Sequence, residues 1–83
     1  MGCSVYVLES VQDGNLYIGV AQDVKVRLKR HNVGGVRSTR HRRPLRLLGS
    51  KQFDTLIEAR EVEVYLKSLK DPVLVRRWIQ KPS

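Results

Sequence analysis

The sequence has only one cysteine, Cys3, and it lacks any apolar run close to the roughly 18 residues that a membrane-spanning helix needs. A single thiol cannot close an internal disulfide, which is typical of a protein from a reducing compartment. No signal-peptide pattern is visible at the N-terminus. We therefore expect a cytoplasmic protein that has no membrane partner.

Acidic residues are scarce as well: eight Asp and Glu stand against 16 Lys and Arg, for a net charge of +8. Residues 24–53 contain ten Lys or Arg and no acidic residue. Such a block favours a polyanionic partner, because contacts with phosphates release counterions. A solvated basic surface and a module for acidic protein partners are the two plainer interpretations.

The length of 83 residues predicts one domain over residues 1–83, with a single small core. Two strands are predicted, at Ser4–Glu9 and Leu16–Val20, and the Asp13-Gly14 pair between them is a turn signal. These signals predict an antiparallel hairpin. Tyr6 and Tyr17 could share one face of it, although the sequence does not determine the register.

The rest of the chain alternates between helix and strand signals. A helix begins after a cap at Asp23 and ends at Gly34-Gly35, and a strand covers Leu45–Phe53 with Gly49 as a candidate bulge. Thr55 and Glu58 form a capping box for a helix that ends near Leu69. Asp71-Pro72 starts a last short helix. The predicted class is α+β, a three-stranded antiparallel sheet flanked by helices in the order β-β-α-β-α-α.

Apolar periodicity predicts which faces of the last two helices are buried. In the first of them the stripe is Ala59, Val62, Tyr65, Leu66 and Leu69, and in the second it is Leu74, Val75, Trp78 and Ile79. The helix after Asp23 is unusual, because Arg27 and His31 fall on the same side as Val24 and Leu28. Arginine is rarely buried without a partner, so this pair is either a functional site or a solvent-reaching Arg beside a core His.

Several of these residues occur in an order found in a known family. Ser4-Val5-Tyr6 is close to a GIY tripeptide, Tyr17-Ile18-Gly19 is a full YIG, and Arg27, His31 and Glu63 follow in turn. The region from Val5 to Leu69 resembles the GIY-YIG nucleases, and most closely their small single-domain bacterial members. We expect the five candidate residues to line one concave patch on an exposed face of the sheet; they are Tyr6, Tyr17, Arg27, His31 and Glu63.

The resemblance implies a metal-dependent DNA endonuclease that hydrolyses phosphodiester bonds, with DNA repair or recombination as its setting and RNA as an alternative substrate. Glu63 would hold Mg²⁺ or Mn²⁺, and Arg27 would bind phosphate oxygens. Tyr6, Tyr17 and His31 would position or deprotonate the water, and the choice of tyrosine as the base stays open. A non-catalytic nucleic-acid-binding domain of the same fold is the alternative.

Helical periodicity does not decide between Glu61 and Glu63, and it is the resemblance that selects Glu63, which precedes Lys67 by four residues. The plain alternative for Glu63 is an ion pair with Lys67. Two departures from the family pattern are Ser4 in place of Gly and the absence of asparagine after Asn32. Candidate phosphate contacts come from the basic block, namely Lys25, Arg37, Arg40, Arg42, Arg43 and Arg46.

Overall fold

The computed structural model describes residues 2–81, so the predicted domain limits at Met1 and Ser83 lie outside the described residues. Three antiparallel strands form one sheet in the order β2-β1-β3, and they are β1 (Cys3–Ser10), β2 (Leu16–Ala21) and β3 (Leu45–Phe53). Three helices accompany them: α1 (Val24–Asn32), α2 (Leu56–Leu69) and α3 (Pro72–Gln80). The predicted α+β class and element order are confirmed. Within residues 2–81, none of the helices has the length and apolar character that crossing a membrane requires.

Local signals explain where the elements begin and turn. The side chains of Asp23, Thr55 and Asp71 each accept a hydrogen bond from the first turn of their helix, which satisfies an amide that has no helical partner. Gly14 has φ +74° in the β1–β2 turn, and Gly34 has φ +84° just beyond α1. Both conformations are accessible to glycine at low cost, as the turn and helix-end signals require.

The bulge in β3 lies beside Gly49. Val7 pairs with Gly49 but Leu8 pairs with Leu47, so Leu48 is the extra residue. A side chain at position 49 would come within 3.0 Å of the Ile79 carbonyl oxygen. Gly49 therefore allows the end of α3 to lie against the sheet.

Both faces of the sheet are covered, which makes the expected exposed face wrong. Val5 and Val7 point to the side that α2 and α3 cover, where Ala59, Leu66 and Val75 are buried. Tyr6 and Leu8 point to the side of α1. The site candidates must therefore meet at an edge of the sheet rather than on an open face.

Two residues of the predicted apolar stripes are exposed: Tyr65 by 52% and Leu74 by 41%. Each helix is rotated toward a charged residue that the apolar pattern does not include. In α2 the buried side contains Glu63. In α3 the half-buried Arg76 forms an ion pair with Glu9 and donates a hydrogen bond to the Gly14 carbonyl oxygen at 3.2 Å.

The glycine of the YIG tripeptide is required by packing. Gly19 lies opposite Tyr6 in the β1–β2 register, and a Cβ at position 19 would lie 2.5 Å from the Tyr6 hydroxyl oxygen and 2.6 Å from the ring carbon that carries it. The Tyr6 ring therefore crosses directly over the backbone of the edge strand β2.

We predict that Gly19→Ala lowers the free energy of unfolding by about 1–3 kcal/mol, because a buried ring must move to admit the methyl group. Gly35→Ala is the control, since its methyl group meets the exposed Arg30 side chain at 3.0 Å, which can move, and the Arg30 carbonyl oxygen only at 3.2 Å. We expect that variant to lose less than half as much. Equal losses in urea unfolding of the two variants would contradict this packing role.

Candidate active site

The candidate site is built on an aromatic cluster of Tyr6, Tyr17 and His31. Tyr6 and Tyr17 come from adjacent strands, with ring centroids 6.2 Å apart, so the shared face that the hairpin permits is confirmed. Helix α1 packs on this face and brings the His31 ring to 4.8 Å from Tyr17 and 6.0 Å from Tyr6. Tyr6 and His31 are almost fully buried, at 1% and 0% exposure.

A chain of hydrogen bonds fixes the imidazole. The Tyr6 hydroxyl lies 3.1 Å from His31 Nε2, and His31 Nδ1 lies 2.7 Å from Thr39 Oγ1. Thr39 is fully buried and its hydroxyl donates toward the Val36 carbonyl oxygen at 3.5 Å. This direction makes Thr39 the acceptor of an Nδ1 proton and leaves Nε2 to accept from Tyr6. Tyr6 is thus a donor to a neutral histidine.

Burial and charge set the protonation of this pair. Burial, reinforced by Tyr17 and by the carboxylate of Glu63 and opposed by Arg27, raises the pKa of Tyr6 to about 12. Burial, together with the positive charges of Arg27 and Arg30, lowers the pKa of His31. Both groups are therefore neutral near pH 7.

Tyr17 differs from Tyr6 in access. It is half-buried, and its side chain lines a cavity of about 500 Å³ that we call the Tyr17 hollow. The hollow has an apolar floor that includes Leu16 and Ile18, and its cations are Arg42, Lys67 and Lys70. The two tyrosines thus share one aromatic cluster but differ in exposure: Tyr6 is buried, and half-buried Tyr17 lines the hollow.

Arg27 lines a second cavity, of about 470 Å³, which we call the Arg27 hollow. Its cations are Arg27, Arg30 and Arg60, and Asp23 is its one acidic residue. Half-buried Arg27 influences the pKa of both Tyr6 and His31, so its guanidinium lies within electrostatic reach of the aromatic cluster. The pairing of Arg27 and His31 on one side of α1 therefore belongs to the site.

Glu63 belongs to α2, which packs on the opposite face of the sheet from Tyr17. A carboxylate confined to that face would be incompatible with a shared site. The structure instead places Glu63 between the two hollows: Arg60 Nη1, from the Arg27 hollow, lies 3.1 Å from Glu63 Oε1, and Lys67 Nζ, from the Tyr17 hollow, lies 3.3 Å from Oε2. Its charge also contributes to the raised pKa of Tyr6. Glu63 therefore lies within electrostatic reach of the aromatic cluster, and its two cationic partners line hollows that both include residues of β2.

Glu63 can hold a divalent cation only as its single protein carboxylate ligand. No group of three or more His, Cys, Asp or Glu side chains comes together within residues 2–81, so the protein offers no complete cage. Mg²⁺ is commonly held by one or two carboxylates, with water and substrate phosphate as the other ligands. Glu63 is fixed and 8% exposed, which suits that mode once Arg60 and Lys67 release its oxygens.

The predicted phosphate contacts have different placements. Arg42 lines the Tyr17 hollow, and Lys25 and Arg37 are exposed. Arg40 and Arg43 are exposed too, but each donates through Nε to a backbone carbonyl oxygen, at 3.0 Å and 2.9 Å. They lie on the segment around a short 3₁₀ helix at Arg40–Arg42, which the sequence does not predict.

Arg46 pairs with an acidic residue although its side chain is 65% exposed, and its phosphate contact stays a prediction. Its guanidinium lies 2.6 Å from Glu9 Oε1, and Arg76 contacts the other oxygen of the same carboxylate. Hydrogen bonds from Arg76 and Arg46 lower the pKa of Glu9. Arg46 is thus held at the sheet as a structural ion pair.

Thr39 and Arg60 are the site residues that sequence reasoning missed. A functional histidine needs a hydrogen-bond partner for its second ring nitrogen. A residue with a hydroxyl group in the segment after α1, such as Thr39, was a candidate for that partner. For Arg60 the signal was its position three residues before Glu63.

Comparison with known proteins identifies the family of the chain. The family model described as the GIY-YIG catalytic domain matches residues 2–77. A UPF0213 protein from Streptococcus agalactiae serotype V is 47% identical over 64 residues, which is 76% of this chain and 72% of that protein. A UPF0213 protein from Cupriavidus necator is 41% identical over 66 residues, covering 78% and 71%.

A solved relative shares the fold. The solution NMR structure of a UPF0213 protein from Bacillus halodurans superposes with a TM-score of 0.50 and 32% sequence identity, covering 100% of both chains. The fold and the site define a GIY-YIG domain, and the chain belongs to the GIY-YIG nuclease family. Its relatives are small UPF0213 proteins of that family.

The buried, neutral His31 predicts a pH-dependent stability. Because its folded pKa lies below the unfolded value near 6.5, the unfolded state binds the proton first as the pH falls. Stability is complete above pH 6.5 and declines below it, by at most about 1.4 kcal/mol per pH unit until the folded pKa is reached.

Urea unfolding between about pH 7 and pH 5, above the range in which carboxylates titrate, measures this decline. His31→Gln should flatten it, because the titrating group has gone. His41→Gln, the same change at an exposed histidine, should leave it in place. A slope that survives in His31→Gln would show that another group causes it.

Proposed function

We propose that the protein is a metal-dependent DNA endonuclease that hydrolyses phosphodiester bonds. The observation that carries the proposal is the convergence at the β2 edge of water-accessible Tyr17, the fixed carboxylate of Glu63 and two cationic hollows. Hydrolysis needs an activated water, stabilisation of charge on the phosphate and neutralisation of the leaving oxygen. The convergent groups can supply each of these.

We assign binding of the scissile phosphate to Arg27. Its guanidinium is permanently charged and its planar fork matches two oxygens of a phosphate. Half-buried at the cluster, it is held closer to the reacting centre than the exposed arginines of residues 36–46. Its role is to bind the scissile phosphate and stabilise the charge that grows on it.

Of the two tyrosines, Tyr17 is the better candidate to activate the water. Tyr6 is buried, donates a hydrogen bond to His31 and has a pKa raised to about 12, so it makes a poor base. Tyr17 opens into a hollow where substrate and water can enter. We assign orientation and deprotonation of the water to Tyr17, and we assign positioning roles to Tyr6, His31 and Thr39.

Glu63 would hold the cation, Mg²⁺ or Mn²⁺. When bound, the metal supplies charge neutralisation at the leaving oxygen. The setting in DNA repair or recombination, and in the cytoplasm, rests on the family and on the composition of the chain. RNA is the alternative substrate.

One observation favours a second candidate, a nucleic-acid-binding domain without catalysis. Both oxygens of Glu63 are occupied by Arg60 and Lys67, and a carboxylate that stays paired in this way cannot hold a metal. In that case the two hollows would bind the backbone of the nucleic acid, and no bond would break.

Glu63→Gln separates the two candidates, because it keeps the size of the side chain and removes the charge that a metal needs. We expect plasmid nicking to fall at least about 100-fold, as when a principal transition-state contact is lost. Binding to the same DNA should persist, because an anion near the phosphate has gone. A nicking time course beside a gel-shift titration measures both.

Glu61→Gln is the matched control: it is the same change on the same helix, at an exposed side chain. It should nick at the wild-type rate. Nicking by Glu63→Gln at the wild-type rate would remove Glu63 as the metal ligand. A wild type that binds DNA and shows no metal-dependent nicking would establish the binding domain instead.

A further inference from the structure

Glu63 is buried, whereas the two cations that neutralise it are exposed. The Glu63 side chain is 11% exposed, while those of Arg60 and Lys67 are 61% and 59% exposed. Ion pairs formed by such exposed cations contribute little to stability, since solvent competes for them. Another anion can therefore displace Glu63 from either cation at small cost.

Each of these two cations also lines one of the two hollows. Arg60 lines the Arg27 hollow and Lys67 lines the Tyr17 hollow, so the two cations lie on opposite sides of Glu63. The separation of seven positions between Arg60 and Lys67 corresponds to about 10 Å along the helix axis. This span matches the axial rise of about three nucleotides of one strand. A strand that crosses Glu63 would therefore bring a phosphate to each hollow.

We propose that the two hollows are subsites for two phosphates of one strand, about three nucleotides apart and on opposite sides of the scissile one, and that Arg60 and Lys67 exchange Glu63 for these phosphates when DNA binds. The inference rests on the proposed function and adds the step that frees the metal ligand. In the free protein the cations hold the carboxylate neutralised. In the complex they bind the strand, and both oxygens of Glu63 become available to a divalent cation.

The proposed exchange predicts opposite effects on metal binding and on DNA binding when the two cations are removed. Removing Arg60 and Lys67 should strengthen metal binding in the absence of DNA, because nothing then competes for Glu63. The same change should weaken DNA binding in the absence of metal, because two phosphate contacts are lost. A merely structural role for these two exposed cations would produce neither effect.

The test uses the full chain with Arg60→Met and Lys67→Met combined, since methionine keeps an unbranched stem and suits a helix. Free Mn²⁺ is measured by electron paramagnetic resonance in a titration without DNA. Binding of a short labelled DNA duplex is measured by fluorescence anisotropy, with a chelator present, across salt concentrations. The control is the combined variant Arg77→Met and Lys81→Met, which removes the same two residue types from the end of α3.

We expect the Arg60/Lys67 variant to bind Mn²⁺ about three- to tenfold more tightly than the wild type, consistent with the loss of weak competing ion pairs. The slope of log affinity for DNA against log salt should fall in magnitude by about two, one for each lost phosphate contact. The control should change Mn²⁺ binding by less than about twofold, because its charges lie outside both hollows.

The titrations distinguish a failure of the proposed function from a failure of the exchange alone. If adding Glu63→Gln to the Arg60/Lys67 variant leaves its Mn²⁺ binding unchanged, Glu63 is not the metal ligand, and the proposed function fails together with the exchange. If Mn²⁺ binding depends on Glu63 but the Arg60/Lys67 variant matches the control in either titration, the exchange is overturned and the proposed function stands.

Discussion

The packing of the Tyr6 ring across Gly19, with its hydroxyl on His31, is the constraint on which the rest of the site depends. It forces glycine at the centre of the edge strand. It also fixes the rotation of α1, because His31 must meet both Tyr6 and Thr39. Once α1 is fixed, Arg27 lies one turn earlier, beside the cluster. The same burial keeps Tyr6 and His31 neutral, which leaves the chemistry to groups that reach water.

Local signals predicted most of the fold, and long-range contacts account for the rest. The Asp13-Gly14 turn and the caps at Asp23, Thr55 and Asp71 each involve neighbouring residues, so the sequence contains their full cause. The rotations of α2 and α3 depend instead on charged contacts, and apolar periodicity therefore misplaced Tyr65 and Leu74. The buried hydroxyl partner of His31, Thr39, comes from a segment whose path the sequence does not determine.

Net charge also predicted more nucleic-acid contacts than the fold leaves free. Arg46 and Arg76 together neutralise Glu9, and Arg40 and Arg43 anchor backbone carbonyl oxygens through Nε. Arg40 and Arg43 thus stabilise the segment between α1 and β3, and Arg46 and Arg76 connect β3 and α3 to β1. The cations that line the two hollows are instead grouped at the β2 edge. A basic composition thus indicates a partner class, and the fold decides which charges can reach it.

We assign support of the site to buried Tyr6 and activation of the water to half-buried Tyr17, and single-turnover nicking of Tyr6→Phe and Tyr17→Phe tests this assignment most directly. Each variant loses one hydroxyl and keeps its ring. The account predicts that Tyr17→Phe slows cleavage by about 10²–10⁴-fold, as expected for a lost general base. Tyr6→Phe should stay within about tenfold of the wild type, because a hydrogen bond to neutral His31 contributes about 1 kcal/mol. The reverse order of the two rates would contradict the account.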